Sequence, residues 1–296
     1  RHTSRIQSLE ELIDAFSIDR ERWKVKSFIA EKWDSATDET EKFLIRAVFE
    51  ERKYSDIKPI QSIEIIVLPD KKPAQNNDKI YKKTLALFDM HFGFSRNFRS
   101  GKLTPFHDRE AIEVALEVAT LSQPDAIVFG GDCLDMSEWS EKFTLEPGFY
   151  FTTQNALIEC AWWLGKFIQR CPGAKIAMLG GNHEDRMRAL VTKRLVALMP
   201  LSRVDDLDTS AMSIENLLAL DKLGVEYIGD YPDGAYRVAK DTLIEHGSIA
   251  RAKPGMTAAA VVEQRNLNIV FGHKHTLERA SRNIETYKGR RIVTAA

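Results

Sequence analysis

The stretch AIVFGGDCLD, residues 126–135, joins a four-residue apolar run to a turn with two glycines and two aspartates. A short apolar run bounded by glycine is typical of a buried strand. The same order, an apolar run followed by a polar turn, occurs four more times along the chain. The runs are 85–88 before Asp89 and His91, 175–179 before Asn182 and His183, 242–244 before His246, and 269–271 before His273 and His275.

Amphipathic patterns with helical spacing separate these apolar runs. They predict helices at about 109–121, 154–170, 184–199, 213–223 and 257–265. Strands that alternate with helices indicate an α/β domain, which we expect to span residues 84–296.

The ends of the predicted strands carry most of the histidine of the chain. Five of its seven histidines fall there, namely His91, His183, His246, His273 and His275. In open α/β sheets, functional groups gather beyond the carboxyl ends of the strands. One histidine in such a place is more often an ordinary loop residue, but five in matching places are hard to explain that way. The pattern therefore predicts a metal or catalytic site.

Taken in order, the five turns resemble the five signature blocks of calcineurin-like metallophosphoesterases. The blocks are D-x-H at 89–91, G-D-x-x-D at 131–135, G-N-H-E at 181–184, H-G at 246–247 and G-H-x-H at 272–275. The resemblance covers residues 84–296. It implies a four-layer fold, in which two mixed β-sheets form a sandwich flanked by helices, and a metal-dependent phosphoesterase activity.

The resemblance also implies two sets of metal ligands that share Asp132. The first set is Asp89, His91, Asp132 and His275. The second set is Asp132, Asn182, His246 and His273. Mixed imidazole, carboxylate and amide ligands suit manganese, iron or zinc, and we expect two divalent ions, with manganese favoured. A water shared by the ions would attack phosphorus.

Residues beside the ligands complete the expected catalytic set, which is His183, Asp132 and Glu184. By the resemblance His183 acts on the leaving group, as a general acid or by stabilising transition-state charge. Glu184 or Asp185 would orient its ring. Asp135 is expected to support a ligand histidine. Arg186 and Lys274 are expected either to contact phosphate or to be solvated.

Departures from two related groups narrow the expected substrate. Met136 and Ser137 follow Asp135 where protein Ser/Thr phosphatases have Arg-Gly, and no tyrosine adjoins Asp132 as in purple acid phosphatases. The arrangement is similar to phosphoesterases often encoded by bacteriophages and, more distantly, to DNA repair nucleases of the SbcD type. We therefore expect a phosphodiesterase or nuclease acting on DNA. The alternatives are a phosphatase or cyclic phosphodiesterase acting on a small molecule, and a non-catalytic scaffold.

Two further segments have open interpretations. The aromatic-rich stretch 139–150 is either a substrate lid or a surface hairpin. Residues 1–83 are expected to form a small helical and β N-terminal domain. Ser8 would cap a first helix, and Val25, Ile29 and Trp33, four residues apart, would lie on one face of a second helix. This pair is compatible with a DNA-binding helix-turn-helix unit or with helices packed on the main domain, followed by a strand at 63–68 and a linker at 69–79.

The composition is that of an ordinary globular protein of 296 residues with no strong charge bias. Lysine and arginine total 42 against 43 aspartate and glutamate, so no global basic field indicates nucleic-acid or membrane binding. The three cysteines form no close pair, and a disulfide framework is not expected. No apolar run approaches bilayer length, and the first residues lack a secretory signal. We expect a cytoplasmic protein.

Overall fold

The computed structural model describes residues 8–20, 22–34, 41–51, 81–142, 144–286 and 289–296. The described residues divide into two compact units. The first contains residues 8–51 together with 96–103, and the second contains 81–95 together with 104–296.

The first unit contains a short helix and a β-hairpin. Its elements are α1 (Leu9–Ala15), β1 (Trp23–Asp34) and β2 (Glu41–Glu51). The Oγ of Ser8 accepts the backbone N–H of Glu11 at 3.1 Å, which satisfies one of the free donors of the first helical turn. The predicted first helix and its cap are therefore confirmed.

The predicted second helix is wrong, because β1 occupies that stretch. It pairs with β2 in an antiparallel register from Trp23 opposite Glu51 to Asp34 opposite Glu41, with a bulge after Val25. A spacing of four residues fits the two-residue period of a strand as well as the period of a helix. The spacing of Val25, Ile29 and Trp33 therefore could not distinguish a strand from a helix. β-branched Val25 and Ile29 favour the strand. The described residues therefore contain no helix-turn-helix unit at 8–34.

Two other predictions for this part of the chain fall outside the described residues. They are the strand at 63–68 and the linker at 69–79. The domain boundary predicted at residue 83 lies next to the same undescribed stretch and stays a prediction.

The second unit contains two larger sheets and most of the helices. Its strands are β3 (Thr84–Leu87), β6 (Ala126–Phe129), β7 (Lys175–Leu179), β8 (Ser202–Arg203), β9 (Asp206–Ser210), β10 (Glu226–Ile228), β11 (Ala235–Ala239), β12 (Thr242–Glu245), β13 (Asn268–Phe271), β14 (Ala280–Thr286) and β15 (Gly289–Ala295). Two short paired strands, β4 (Phe94–Arg96) and β5 (Leu103–Pro105), belong to it except for Arg96 and Leu103, which fall in the first unit. Its helices are α2 (Arg109–Ser122), α3 (Thr153–Arg170), α4 (Asn182–Arg194), α5 (Ile214–Leu217), α6 (Leu220–Leu223) and α7 (Met256–Gln264).

The first of these sheets has the order β10-β7-β6-β3, and the second has the order β11-β12-β13-β15-β14. All described pairings in the four-stranded sheet are parallel, where the resemblance implies a mixed sheet. The five-stranded sheet is mixed, because β12, β13 and β15 run parallel while β11 and β14 run antiparallel to their neighbours. The predicted α/β class is confirmed.

The two sheets pack against each other, and helices cover their outer faces. Val128 and Leu179 of the four-stranded sheet share one buried cluster with Ile244 of the five-stranded sheet. Phe167 of α3 meets Phe129 edge to face, with ring centroids 5.4 Å apart. On the other side, α7 packs on β13 and β15 through a second buried cluster. The apolar faces of both sheets are thereby removed from water.

The predicted helices at 109–121, 154–170 and 257–265 agree with α2, α3 and α7. Helix α4 ends at Arg194, five residues earlier than predicted. The predicted helix at 213–223 is divided into α5 and α6, because Ala219 adopts φ 52° in the left-handed region. In the described part of the chain, none of the helices has both the length and the apolar character needed to cross a membrane.

Replacing Phe167 with alanine tests the packing of α3 on the four-stranded sheet. Phe167 is fully buried, and Phe167→Ala should lower the free energy of unfolding by about 3–5 kcal/mol, because the truncation leaves a cavity against Phe129. Urea unfolding measures the loss. The control is Leu121→Ala on α2, whose side chain is 86% exposed and whose truncation should change stability little. Equal effects of the two variants would contradict the packing.

Candidate metal centre

The predicted site residues converge at the carboxyl ends of strands from both sheets. Asp89 and His91 follow β3, Asp132 follows β6, and Asn182 begins α4 directly after β7. His246 follows β12, and His273 and His275 follow β13. In a parallel arrangement these strand ends meet at one edge, and packing of the sheets brings the two edges together. All seven predicted ligands lie in this one region.

Asp89, His91 and His275 form a first group that could hold a metal ion. The His275 Nε2 atom lies 3.4 Å from Asp89 Oδ1 and 3.1 Å from His91 Nε2. The His91 Nε2 atom lies 4.0 Å from Asp89 Oδ1 and from Asp132 Oδ2. His91 therefore stands between this group and Asp132.

Asp132, His246 and His273 form a second such group, and the Asn182 amide lies among them. His246 Nε2 is 3.2 Å from Asp132 Oδ2 and 3.2 Å from Asn182 Oδ1. Asn182 Oδ1 is also 2.8 Å from His273 Nδ1. The six residues of the two groups and Asn182 are together the seven residues predicted as ligands.

The spacing of these atoms fits metal binding. Ligand atoms about 2.1 Å from one ion lie about 3.0–3.4 Å apart for octahedral to tetrahedral angles. Contacts of 3.1–3.4 Å in both groups have this spacing, and the contact of Asn182 Oδ1 with His273 Nδ1 is somewhat shorter, at 2.8 Å. His246 Nδ1 lies 3.1 Å from the Gly130 carbonyl, which can only accept, so Nδ1 carries the proton. Its Nε2 faces the oxygens of Asp132 and Asn182, so either a proton on Nε2 or a metal ion between these atoms would satisfy the cluster.

The backbone is strained at the predicted ligands. Ten described non-glycine residues have positive φ, and half of them belong to the two groups. These are Asp89 (52°), His91 (47°), Asp132 (49°), His273 (72°) and His275 (55°). Residues other than glycine rarely adopt this left-handed backbone conformation, and residues that do adopt it concentrate at functional sites. The strain supports a functional role for the three turns that contain these five residues.

Glycines beside the ligands permit close approach of the turns. A Cβ atom on Gly131 would lie 2.7 Å from the imidazole of His246, and φ is +91° at this position. A Cβ atom on Gly181 would overlap the carboxylate of Asp132. Any larger residue would displace a ligand, so the Gly-Asp and Gly-Asn pairs are steric requirements of the site.

Glu184 does not have the position expected of a catalytic residue. Its carboxylate is buried and accepts backbone N–H groups of Asp132 at 3.0 Å, Leu134 at 2.8 Å and Gly181 at 2.8 Å. Successive helix residues point about 100° apart, which turns Glu184 away from the neighbouring His183 ring. Asp185 is also engaged elsewhere, with Arg188. The expectation that one of them orients His183 is therefore wrong, and Glu184 instead ties the Asp132 turn to the start of α4.

Two other groups orient His183. Its Nδ1 lies 2.7 Å from the Asp135 carbonyl, and its Nε2 lies 2.8 Å from Nη2 of Arg186. The Asp135 carboxylate stands 3.7 Å from His91 Nδ1 and 3.6 Å from His183 Nδ1, close to both rings. The contact between Arg186 and His183 was not predicted from the sequence. The i, i+3 spacing of His183 and Arg186 on one helix was the signal that could have indicated it.

Burial and charge set the protonation of the ligand side chains. Burial lowers the pKa values of His91 and His273, which favours their neutral, metal-binding form. Burial alone would raise the pKa of Asp132, but the hydrogen bond and charge of His246 outweigh it and bring the value to about 2. Conversely, burial would lower the pKa of His246, but Asp132 raises it. Asp132 is therefore ionised at neutral pH.

The remaining sequence candidates have local partners. Lys274 forms an ion pair with Glu278, so it does not point to a phosphate position in this arrangement. The stretch 139–150 contains short 3₁₀ turns at Ser137–Trp139 and Pro147–Phe149, and the surface-hairpin interpretation is wrong for its described residues. Glu141 of this stretch pairs with Lys193 and Arg194 at the end of α4. Tyr231, not singled out in the sequence, has its ring 6.0 Å from that of His246.

Comparison of the sequence with protein-family models and with curated proteins gives no match. The residues of the chain itself therefore carry the indications of function. They are the order of the five motifs, the convergence and spacing of the seven side chains, and the positive φ values of five of them.

Removing one ligand from each group tests the metal centre. The protein loaded with Zn²⁺ or Mn²⁺ should hold two ions, and His275→Ala or His273→Ala should each leave one, because each removes a ligand of one group only. Metal content by mass spectrometry after desalting measures this. Leu277→Ala is the matched control, since its fully exposed side chain is two residues from His275. Unchanged metal content in both histidine variants would contradict the assignment.

The buried carboxyl of Glu184 predicts a pH dependence of stability. Burial and the charge of Asp132 raise the pKa of Glu184 from 4.5 to about 7. Between these values the unfolded chain loses the proton first, so the free energy of unfolding should fall by up to about 3 kcal/mol as the pH rises. Glu184→Gln cannot ionise and should lack this fall. Urea unfolding of both metal-free proteins from pH 4.5 to 8 measures it, and a constant difference between them would contradict the prediction.

Proposed function

We propose that the protein is a dinuclear metal-dependent phosphoesterase with the four-layer fold of calcineurin-like enzymes. The carrying observation is that five strand ends from two packed sheets bring two ligand groups to one place, in the order of the five family motifs. Helices on the outer faces of both sheets support the four-layer assignment. Positive φ values at five of the predicted ligands support a functional role for these residues, because such strain concentrates at functional sites.

The chemistry of the donors supports the same proposal. Bound divalent ions would supply Lewis acidity and stabilise the oxygens of an in-line displacement at phosphorus. The residues of the chain would then hold and orient the substrate. Asp132 connects both groups through His91 and His246, and His183 stands beside Asp132 with its Nε2 3.8 Å from Oδ2. From this position His183 would act on the leaving group. Among possible ions we favour Mn²⁺, with Fe or Zn as alternatives.

DNA is the substrate that we propose, as a phosphodiester. The site opens to solvent on the side of His275, whose side chain is 55% exposed, and a polymer requires such an opening. The likeness of the motifs to phage phosphoesterases and SbcD-type nucleases supports the same substrate class.

A small phosphoester is the second candidate. A cavity of about 340 Å³ adjoins the site, and its lining includes Asp89 and His91 together with Met90, Phe106 and Ala111. Its volume lies in the range of small-molecule sites. An enzyme for small esters would use this cavity for the leaving group and would not need the open side.

A substrate panel on the Mn²⁺-loaded protein separates these candidates. Linear and circular single- and double-stranded DNA should be cleaved, and EDTA should stop the reaction. The same samples are tested with bis-p-nitrophenyl phosphate, p-nitrophenyl phosphate and cyclic AMP. Turnover of the monoester or cyclic nucleotide without DNA cleavage would favour the small-molecule candidate. No turnover of any ester by the metal-loaded protein would contradict the phosphoesterase proposal.

Two variants assign the roles within the site. Asn182→Ala should weaken metal retention, because its amide oxygen lies among the atoms of the second group. His183→Ala should keep both metals and slow turnover by roughly 10²–10⁴-fold, most for poor leaving groups. Metal analysis beside the rate measurement distinguishes the two, and metal loss in His183→Ala would show that His183 is a ligand.

A further inference from the structure

The described residues contain a third group that could hold a metal ion, formed by His91, Asp132 and His183. It shares His91 with the first group and Asp132 with the second. The rings of His91 and His183 meet edge to face with centroids 4.5 Å apart, and His183 Nε2 lies 3.8 Å from Asp132 Oδ2. By distance alone, His183 is positioned to become a ligand, and a ligand could not act on a leaving group.

The hydrogen bonds of His183 exclude that outcome. The Asp135 carbonyl only accepts, so His183 Nδ1, 2.7 Å away, must carry the proton. The guanidinium of Arg186 only donates, so His183 Nε2, 2.8 Å from Nη2, must present its lone pair. A single neutral tautomer satisfies both bonds. The lone pair that metal binding requires is thereby already used.

Arg186 is itself held in place. Its Nη1 donates to the same Asp135 carbonyl at 2.8 Å, and the side chain is half-buried on α4. Its guanidinium thus bridges a loop carbonyl and the ring, and its fixed positive charge opposes a cation at Nε2. Arg188, two residues along the same helix, is instead exposed and paired with Asp185.

We propose that Arg186 is a positioning residue that keeps His183 out of the metal shell and holds its ring in the Nδ1–H tautomer. The proposal rests on the proposed metal centre. It deepens that proposal by explaining why His183, which lies beside Asp132 and could bind a metal ion, stays free to act on the substrate. Loss of Arg186 releases Nε2, and His183 then joins His91 and Asp132 around an ion.

The test compares Arg186→Met with Arg188→Met, which removes a guanidinium from the same helix without touching His183. ¹⁵N spectra of histidine-labelled, metal-free protein report the tautomer. His183 should show protonated Nδ1 in the wild type and in Arg188→Met, and a mixture of tautomers in Arg186→Met. Arg186→Lys, which keeps a charged donor, should restore most of the wild-type signal.

Zinc binding gives a second measurement that needs no turnover. In competition with a chelator, Arg186→Met should bind Zn²⁺ roughly tenfold tighter than the wild type, because a ligand is gained. Its His183 ¹⁵N signal should shift on zinc addition, and the double variant His183→Ala/Arg186→Met should lose the gain. With a hydrolysable ester, Arg186→Met should lower kcat more than it raises KM, and should add nothing to the effect of His183→Ala.

Three results would overturn the inference. The first is an unchanged His183 tautomer in folded Arg186→Met, with circular dichroism confirming the fold. The second is a zinc affinity that does not depend on His183. The third is a further loss of rate when Arg186→Met is added to His183→Ala, which would mean that Arg186 contacts substrate directly. A protein that binds zinc as expected but hydrolyses no ester would contradict the proposed function and leave the role of Arg186 intact.

Discussion

The site depends on one buried carboxylate, that of Asp132, which contacts several elements at once. Its Oδ1 accepts the backbone N–H of His183 at 2.9 Å, its Oδ2 faces His246, and its own N–H is held by Glu184. A buried charge is costly unless it is paired and hydrogen-bonded. Here the pairing lowers the pKa of Asp132 to about 2 although burial opposes it. The two sheets therefore cannot separate at this edge without exposing an unpaired charge or an unpaired histidine.

Convergence at this edge is imposed on the backbone. Asp89 and His91 both take positive φ within three residues, and so do His273 and His275 on the other sheet. Each such residue costs on the order of 1 kcal/mol or more. The positive φ values are consistent with turns whose conformation is set by the positions that the metal-ligand side chains must occupy. Glycines at 131 and 181 avoid the steric clash that a Cβ atom would cause there.

The sequence predicted the parts of the structure that depend on local pattern. Buried strands 126–129 and 175–179 and the turns after them were predicted because apolar runs, glycines and polar ligands lie next to each other in the chain. The strand at Trp23–Asp34 was mistaken for a helix, because its pairing with Glu41–Glu51 is a tertiary effect that a four-residue spacing cannot reveal. The role of Glu184 was misjudged for a related reason, since its partners Asp132 and Leu134 lie about fifty residues away.

The protonation of the histidines connects the fold to the chemistry. Metal binding requires neutral imidazole, and burial already lowers the pKa values of His91 and His273, so these rings need lose no proton near neutral pH. His246 differs, because Asp132 stabilises its protonated form. A metal ion entering the second group would therefore compete with protonation of His246 Nε2, which lies 3.2 Å from Asp132 Oδ2. The proton that Asp132 stabilises on His246 and the ion that the second group would bind are thus both positive charges beside the same carboxylate.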